Sequence, residues 1–170
     1  HEGNVAGQWL VDKVGDEPCN VVELQGTTGS SPAIDRKKGF EQAIADHDNI
    51  TIVRSQTGDF TRTKGKEVME SFLKAEGGGG DICALYAHND DMAVGAIQAI
   101  KEAGLKPGED ILVVSIDAVP DIFKAMAAGE ANATVELTPN MAGPAFDALA
   151  AYMKDGTMPE KFIQTESKLY

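Results

Sequence analysis

Short apolar runs and amphipathic stretches alternate along the chain. The apolar runs predict β-strands at residues 20–24, 51–53, 82–87, 111–116 and 133–137. The intervening stretches carry apolar residues at helical spacing and predict helices over 32–45, 61–75, 120–128 and 140–153. A further helix is predicted to begin at a cap, either Asn89 or Asp90, and to end at Gly104. Because strand and helix alternate with short connections, we predict an α/β fold with a parallel, doubly wound sheet and helices on both faces.

Polar or glycine-rich turns follow several of the predicted strands. They lie at residues 25–31, 87–91 and 115–117, with the sequences QGTTGSS, AHNDD and SID. In an open α/β sheet, ligands bind in the crevice at the carboxyl ends of the strands. The hydroxyls, amide and carboxylates at this edge favour sugar binding over catalysis, since hydroxyl groups of a sugar need both donors and acceptors.

Composition narrows the class of partner. The chain has 170 residues and a formal net charge of -12, which argues against nucleic acid or an anionic membrane as a partner. No apolar run approaches the roughly 20 residues of a membrane-spanning helix. The length fits one domain, or one domain and a fragment of another. Residues 1–11 resemble a helix already under way without a cap, so we expect this to be a piece of a longer protein.

The two cysteines, Cys19 and Cys83, each lie at or near the start of a predicted strand. If those strands are neighbours, a disulfide is geometrically possible and would indicate an oxidising compartment. Two buried free thiols explain the same spacing equally well.

Arg36 and Phe60 are candidates for contact with a ligand. Arg36 lies on the helix after the first glycine-rich turn, where its guanidinium could donate several hydrogen bonds to hydroxyls. The alternative is a solvated charge beside Lys37 and Lys38. Phe60 follows the second strand and could stack on the apolar C–H face of a sugar ring. The alternative is a loop side chain that packs into the core.

Asn89, Asp117 and Glu136 are further candidates at strand ends. The amide of Asn89 both donates and accepts, although capping of the next helix also explains this residue. The carboxylate of Asp117 could accept from two adjacent hydroxyls, and the alternative is a cap or turn residue before Pro120. Glu136 could serve in the same way or occupy an ordinary exposed position.

We expect neither a metal site nor catalysis. The run from His88 to Asp91 has metal-ligand residue types, but adjacent residues do not converge on one ion without a second ligand set. The sequence has no G-x-S-x-G elbow, and neither cysteine has an evident histidine partner. We therefore expect a binding protein without a cofactor rather than an enzyme.

Two segments in particular resemble the periplasmic sugar-binding proteins of ABC importers, in the branch that takes ribose, galactose and galactofuranose. These segments are HNDDMAVGAIQAIKEAG and ELTPNMAGPAFDAL, and the similarity extends over nearly the whole chain. The resemblance implies the type I fold of that family, in which two α/β lobes joined by three crossovers enclose the sugar. It implies that residues 1–137 form the second lobe, residues 138–160 a crossover and a helix that would pack on the first lobe, and residues 161–170 a return crossover strand.

The resemblance also assigns roles to residues. It places Arg36, Phe60, Asn89 and Asp117 at the ligand, and Glu136 where ribose binders usually have glutamine. It favours a Cys19–Cys83 disulfide, a periplasmic location, a monosaccharide ligand and a membrane permease as partner of the intact protein.

Two further expectations follow from the resemblance. Without a first lobe, the apolar stripe of helix 140–153 would lack its family partner, so we expect either a homodimer through that helix or a helix that docks differently. The alternative function is the effector-binding core of a LacI-type transcription regulator, which shares the fold.

Overall fold

A five-stranded, fully parallel sheet lies at the centre of the computed structural model, which describes residues 1–161 and 163–170. The strands are β1 (Cys19–Gln25), β2 (Ile50–Thr57), β3 (Ala84–Ala87), β4 (Leu112–Asp117) and β5 (Ala133–Glu136). The helices are α1 (Glu2–Val14), α2 (Ser31–Ile44), α3 (Arg62–Ala75), α4 (Asp90–Glu102), α5 (Pro120–Ala127) and α6 (Ala142–Asp155). In space the strands follow the order β2-β1-β3-β4-β5, which confirms the predicted parallel α/β sheet.

Helices cover both faces of the sheet and divide the core into two apolar clusters. On one face α1 and α2 pack together, and their buried side chains, such as Leu10 and Phe40, meet Tyr86 from β3. On the other face α3, α4 and α5 bury side chains such as Met69 and Ile100. The sheet is therefore doubly wound, because the connection from β1 to β2 runs on one face and the connections after β2 run on the other.

The direction of the chain reverses between β1 and β3. From β1 the chain moves outward to β2, crosses back to β3 on the other face, and then continues through β4 to β5. Such a switch point leaves a crevice at the carboxyl ends of the two adjacent strands. Here the residues at those ends are Gly26 after β1 and His88 after β3, and the Gly26 N–H donates to His88 Nδ1 at 3.2 Å.

Most element boundaries agree with the sequence prediction to within a few residues. Thr61 caps α3 by accepting from Lys64 N, and of the two alternatives for α4 the cap is Asn89, which accepts from Met92 N. The prediction for β2 was too short, because the second half of this edge strand is polar and exposed. None of the helices in the described part of the chain is long and apolar enough to span a membrane.

Cys19 and Cys83 form a disulfide that joins the first residue of β1 to the residue before β3. The two strands are adjacent, which is the condition under which the sequence allowed a disulfide. The bond lies at the amino ends of the strands, at the opposite edge of the sheet from the switch-point crevice.

The last part of the chain packs less tightly than the rest. Helix α6 buries none of its residues, and apolar side chains such as Phe146 and Met153 lie exposed on it. Beyond it, Glu136 N donates to Lys168 O at 2.7 Å, and Thr134 and Tyr170 exchange two backbone hydrogen bonds. In the described part of the tail, strand pairing is thus confined to residues 168–170, antiparallel to β5; residue 162 of the predicted strand 161–170 lies outside the described residues.

Candidate functional site

A buried ion pair joins Arg36 on α2 to Asp117 at the end of β4. Arg36 Nη2 lies 3.0 Å from Asp117 Oδ1, and its Nη1 donates to the carbonyl oxygen of His88. The Arg36 side chain is almost fully buried, whereas Asp117 keeps part of its surface open to solvent. The alternative of a solvated helix charge is therefore wrong. Within the described residues, two of the five guanidinium N–H groups have protein acceptors.

Phe60 lies beside this ion pair and packs directly on Gly26. A Cβ placed on Gly26 would meet the ring of Phe60 at 1.9 Å, so only glycine permits this contact. The guanidinium carbon of Arg36 lies 5.9 Å from the centroid of the same ring, within the range of a cation–π contact. Phe60 is half-buried and touches the core. It therefore packs inward on one side, and its ring borders the crevice at the switch point.

Asn89 connects the turn that carries Phe60 to the start of α4. Its Oδ1 accepts from Met92 N at 3.1 Å and caps α4, while its Nδ2 donates to the carbonyl oxygen of Phe60 at 3.2 Å. Asn89 is buried, with 7% of its surface exposed. Because an amide has two N–H donors and two lone pairs, these two bonds leave one donor and one lone pair for a ligand.

Glu136 lies next to Asp117 across the sheet. The two residues are register partners in the parallel pair β4–β5, so both reach the carboxyl edge. Glu136 is half-buried and accepts from the hydroxyl of Tyr170 at 3.1 Å. Asp117 itself does not cap a helix, because the residue before α5 is Val119. The structure thus brings Arg36, Phe60, Asn89, Asp117 and Glu136 to one edge of the sheet.

Backbone strain is concentrated at the same edge. Among the described residues, the non-glycine residues with positive φ are Asp59, Phe60, Asp117 and Ala118, with φ of 53°, 58°, 125° and 60°. Asp59 and Phe60 lie in the turn after β2, and Asp117 and Ala118 are the last residue of β4 and the first residue after it. Left-handed backbone is unfavourable for residues with a Cβ and persists where the surroundings enforce it, as at ligand sites. This conformation aims the side chains of Phe60 and Asp117, and no residue pattern in the sequence indicates it.

The environment of Asp117 disfavours its ionised form. Burial raises the pKa of this carboxyl to about 6, against the opposing effect of Arg36, and the nearby Asp90 carboxylate raises it further. A ligand that donates hydrogen bonds to Asp117 would favour the carboxylate. Protonation of Asp117 and the binding of such a ligand would therefore be coupled.

Sequence reasoning missed a buried pair, Glu23 and His88. Both side chains are fully buried, and His88 Nε2 lies 3.0 Å from Glu23 Oε1. Lys37 Nζ lies 2.9 Å from the other carboxylate oxygen, Oε2, which also accepts from Ser55. Burial raises the pKa of Glu23, but the hydrogen bonds from His88, Ser55 and Lys37 outweigh it and lower this pKa to about 2. The only signal in the sequence was a glutamate between the apolar residues Val22 and Leu24 of a predicted buried strand.

Asp90 is a second buried carboxylate, which the sequence suggested only as a possible cap or as part of a run of metal-ligand residue types. Its Oδ1 accepts from Ser115 Oγ at 2.5 Å and from Thr134 Oγ1 at 2.8 Å, and its Oδ2 accepts from Val119 N at 2.8 Å. Burial raises the pKa of Asp90. These bonds join β4, β5 and the turn that carries Asp117, so Asp90 fixes the orientation of that turn.

This edge offers a buried cationic donor group, carboxylate acceptors and one aromatic face at the switch point of the sheet. Within residues 1–161 and 163–170, no group of three or more His, Cys, Asp or Glu side chains is arranged to hold a metal ion. Residues 2–157 match the model of the periplasmic binding protein domain. The chain belongs to this family.

Relatives within the periplasmic binding protein family include sugar binders. The chain is 72% identical over 169 residues to the galactofuranose-binding protein YtfQ of Escherichia coli, covering 99% of this chain and 53% of that protein. It is 41% identical over 141 residues to the ribose import binding protein RbsB of Salmonella typhimurium, covering 83% of this chain and 45% of that protein. The chain therefore spans about half the length of the curated relatives it matches.

A solved structure of a periplasmic binding protein shows the same fold. It is the binding component of the arabinose ABC transporter from Shewanella sp. ANA-3, bound to α- and β-L-arabinofuranose. This chain is 60% identical to it, and the two structures superpose with a TM-score of 0.93. The match covers 99% of this chain and 55% of the Shewanella protein. The fold predicted from the resemblance is thereby confirmed.

Proposed function

We propose that this chain forms one side of the monosaccharide-binding cleft of a periplasmic binding protein that serves an ABC sugar importer. The observation that carries the proposal is the buried Arg36, paired with the partly open Asp117 beside the ring of Phe60. A charged donor and a charged acceptor held 3.0 Å apart suit neighbouring hydroxyls of one sugar. The aromatic ring suits the C–H face of the same sugar.

Each residue of the edge has a distinct role in this proposal. Arg36 donates to ring or hydroxyl oxygens, and Asp117 accepts from a vicinal diol. Phe60 stacks on the sugar. Asn89 contributes its remaining amide donor, and Glu136 accepts from a more distant hydroxyl, since the Tyr170 hydroxyl already occupies one of its oxygens.

A furanose is the sugar class best supported. Two relatives with 72% and 60% identity carry names that refer to galactofuranose and L-arabinofuranose. The ribose binder is more distant, at 41% identity. We therefore expect this edge to prefer a five-membered ring over a six-membered one.

The domain division of the whole protein is part of the proposal. Residues 1–137 act as one lobe, residues 138–160 as a crossover with a helix, and residues 161–170 as the strand that returns to this lobe. A second lobe would close over the sugar, exclude water and supply further contacts, and the closed form would dock on the membrane permease. A single lobe leaves the sugar open to solvent, so for this chain alone we expect a dissociation constant on the order of millimolar.

The disulfide supports a periplasmic location, because such bonds persist in oxidising compartments and are rare in the cytosol. The same argument disfavours a cytosolic LacI-type regulator. The role is binding and delivery rather than catalysis, and the net charge of -12 disfavours nucleic acid as a partner.

An amide-resolved NMR titration tests the proposed function. L-arabinose and D-galactose, which have minor furanose forms in solution, are compared with D-ribose, which also forms a furanose, and with D-glucose, which is almost entirely a pyranose, up to high millimolar concentration. We expect shifts that converge on Arg36, Phe60, Asn89 and Asp117 for one of the first two sugars. Asp117→Asn should abolish the response, and Asp81→Asn, in an exposed loop, should preserve it. A folded chain that responds to none of the sugars would contradict the proposal.

We further propose that this chain on its own self-associates through α6. The apolar side chains of this helix are exposed, and a contiguous apolar patch of that kind favours association in water. Two copies that pack their α6 helices against each other would form a two-fold symmetric contact.

A further inference from the structure

The imidazole of His88 lies between the two elements that meet at the switch point. Its Nδ1 accepts from Gly26 N at 3.2 Å, and its Nε2 lies 3.0 Å from Glu23 Oε1. The carbonyl oxygen of the same residue accepts from Arg36, and its backbone N donates to Leu24 O at 2.9 Å. One buried residue thus contacts the main chain under Phe60 and the guanidinium of Arg36.

These contacts define one tautomer. An imidazole nitrogen that accepts from a backbone N–H carries no proton, so the proton of the neutral ring must reside on Nε2. Nε2–H then donates to Glu23, whose carboxylate can only accept. The alternative tautomer would place an N–H at Nδ1 facing the Gly26 N–H, and both donors would lose their acceptor.

Stability alone does not explain a charged residue in the middle of β1. A buried carboxylate pairs at the cost of its hydration, and an apolar side chain of similar size would serve a core as well or better. Glu23 is nevertheless surrounded by donors: His88, Ser55 and Lys37 all point at it. This arrangement keeps Glu23 an acceptor, and an acceptor is what fixes the proton on Nε2 of His88.

Gly26 links the position of His88 to the position of Phe60 at the carboxyl edge of the sheet, which we call the binding edge. The Phe60 ring lies on its backbone so closely that no Cβ could intervene. The Gly26 carbonyl oxygen also accepts from Thr57 Oγ1 at 2.8 Å, which ties it to the end of β2. A shift of the Gly26 main chain would therefore move the Phe60 ring relative to Arg36.

We infer that His88 is a positioning residue for the binding edge, held by Glu23 so that its Nδ1 fixes the Gly26 main chain beneath Phe60 while its carbonyl oxygen orients Arg36. His88 does not touch the ligand. The inference deepens the proposed function and rests on it, since the positioned groups are the proposed sugar contacts.

The first part of the test needs no sugar. In the intact chain, nitrogen-15 NMR of His88 should show a neutral ring with the proton on Nε2; a proton on Nδ1, or a ring that averages both forms, would overturn the inference. The Hα protons of Gly26 should show a large ring-current shift from Phe60. His88→Asn, whose Oδ1 can replace Nδ1 as the acceptor, should retain this shift. His88→Gln, whose amide can replace only Nε2, should lose it.

The second part separates positioning from simple destabilisation. Leu10→Ala removes a fully buried side chain from the apolar cluster on the face of the sheet opposite to the cluster that Phe60 packs against, so it lowers stability but should leave the ring-current shift intact. In titrations with L-arabinose or D-galactose, we expect His88→Gln to weaken binding about tenfold or more and His88→Asn and Leu10→Ala by less than about threefold. Equal ring-current shifts or equal affinities in His88→Asn and His88→Gln would overturn the inference. A parent chain that shows the expected His88 tautomer and Gly26 shift but no sugar response would instead count against the proposed function.

Discussion

Phe60 lies against Gly26 so closely that a Cβ on Gly26 would stand 1.9 Å from its ring. Such a contact can be relieved only if the ring moves, because the nearest atoms belong to the far end of the Phe60 side chain. Gly26 does not have a positive φ, so alanine fits its backbone conformation. A methyl group at position 26 would therefore clash with the Phe60 ring and not with its own backbone conformation.

Gly26→Ala should displace Phe60 and weaken sugar binding while costing only about 1–2 kcal/mol of stability. NMR titration with L-arabinose or D-galactose measures the first effect, and urea unfolding the second. Gly143→Ala is the matched control, because a Cβ there meets nothing within 4 Å. It should stabilise α6 by about 0.5–1 kcal/mol and leave binding unchanged. Retained affinity in Gly26→Ala would show that Phe60 does not contact the sugar.

Arg36 should not be replaceable by lysine. Arg36→Lys keeps the charge, but one ammonium group cannot reproduce the planar fork that reaches both Asp117 and the carbonyl oxygen of His88. Loss of a buried hydrogen-bonded partner should lower stability by about 1–3 kcal/mol. The sugar response in the NMR titration should disappear. Lys38→Arg, at an exposed position on the same helix, should change neither property.

Most elements of the fold could be predicted because each has its own local signal. The apolar strands β1, β3, β4 and β5 stand out from the polar turns, and Asn89 and Thr61 are typical helix caps. The prediction failed over the second half of β2, because an edge strand with solvated side chains lacks an apolar pattern. Local signals therefore identify buried elements better than exposed ones.

The geometry of the site depends on contacts that no local signal encodes. Glu23 and His88 are 65 positions apart and meet only because β1 and β3 are adjacent. The direction of Phe60 depends on positive φ at Asp59 and Phe60, which residue type does not reveal. Sequence reasoning could place the candidate residues at one edge of a sheet, but it could not identify the residues that hold them there.

The free energy of unfolding should depend on pH because of Asp117. Its pKa is raised from 3.8 to about 6 in the folded protein, so between these values the folded state binds more protons than the unfolded state. The contribution of Asp117 to the free energy of unfolding is at its maximum below about pH 4. It decreases by up to about 3 kcal/mol as the pH rises through about 6. Urea unfolding of the parent chain and of Asp117→Asn at pH 4, 5, 6 and 7 measures the difference. A difference that stays constant with pH would contradict the raised pKa.

Sugar binding should have the opposite pH dependence. A carboxylate accepts from two hydroxyls, whereas its protonated form has lost part of that capacity. Affinity should therefore fall as the pH decreases below about 6. Glu23 stays ionised over this range, because its pKa is lowered to about 2. Comparison of titrations at pH 7.5 and pH 5 tests this, and equal affinities would show that Asp117 does not accept from the sugar.

The Cys19–Cys83 disulfide should contribute to stability without affecting the site. It closes a loop with a sequence separation of 64 and lies at the amino ends of the strands, away from the binding edge. Replacement of both cysteines by alanine should lower the free energy of unfolding by about 2–4 kcal/mol. The NMR response to sugar should be the same as in the parent chain, once both are compared in conditions where they are folded. Reductant should destabilise the parent chain and have no effect on the double variant.

Helix α6 should govern self-association of this chain. Phe146, Leu149 and Met153 are 69%, 51% and 78% exposed, and their spacing places them along one side of a helix with 3.6 residues per turn. Light scattering should show a mass that rises with concentration toward that of a dimer. Phe146→Lys should keep the chain monomeric, because a charge in the contact cannot be buried without a partner. Ala151→Lys adds the same charge on the other side of the helix and should leave the association intact. A parent chain that remains monomeric at millimolar concentration would refute the proposed contact, and equal disruption by both variants would show that net charge rather than the apolar side of α6 controls the association.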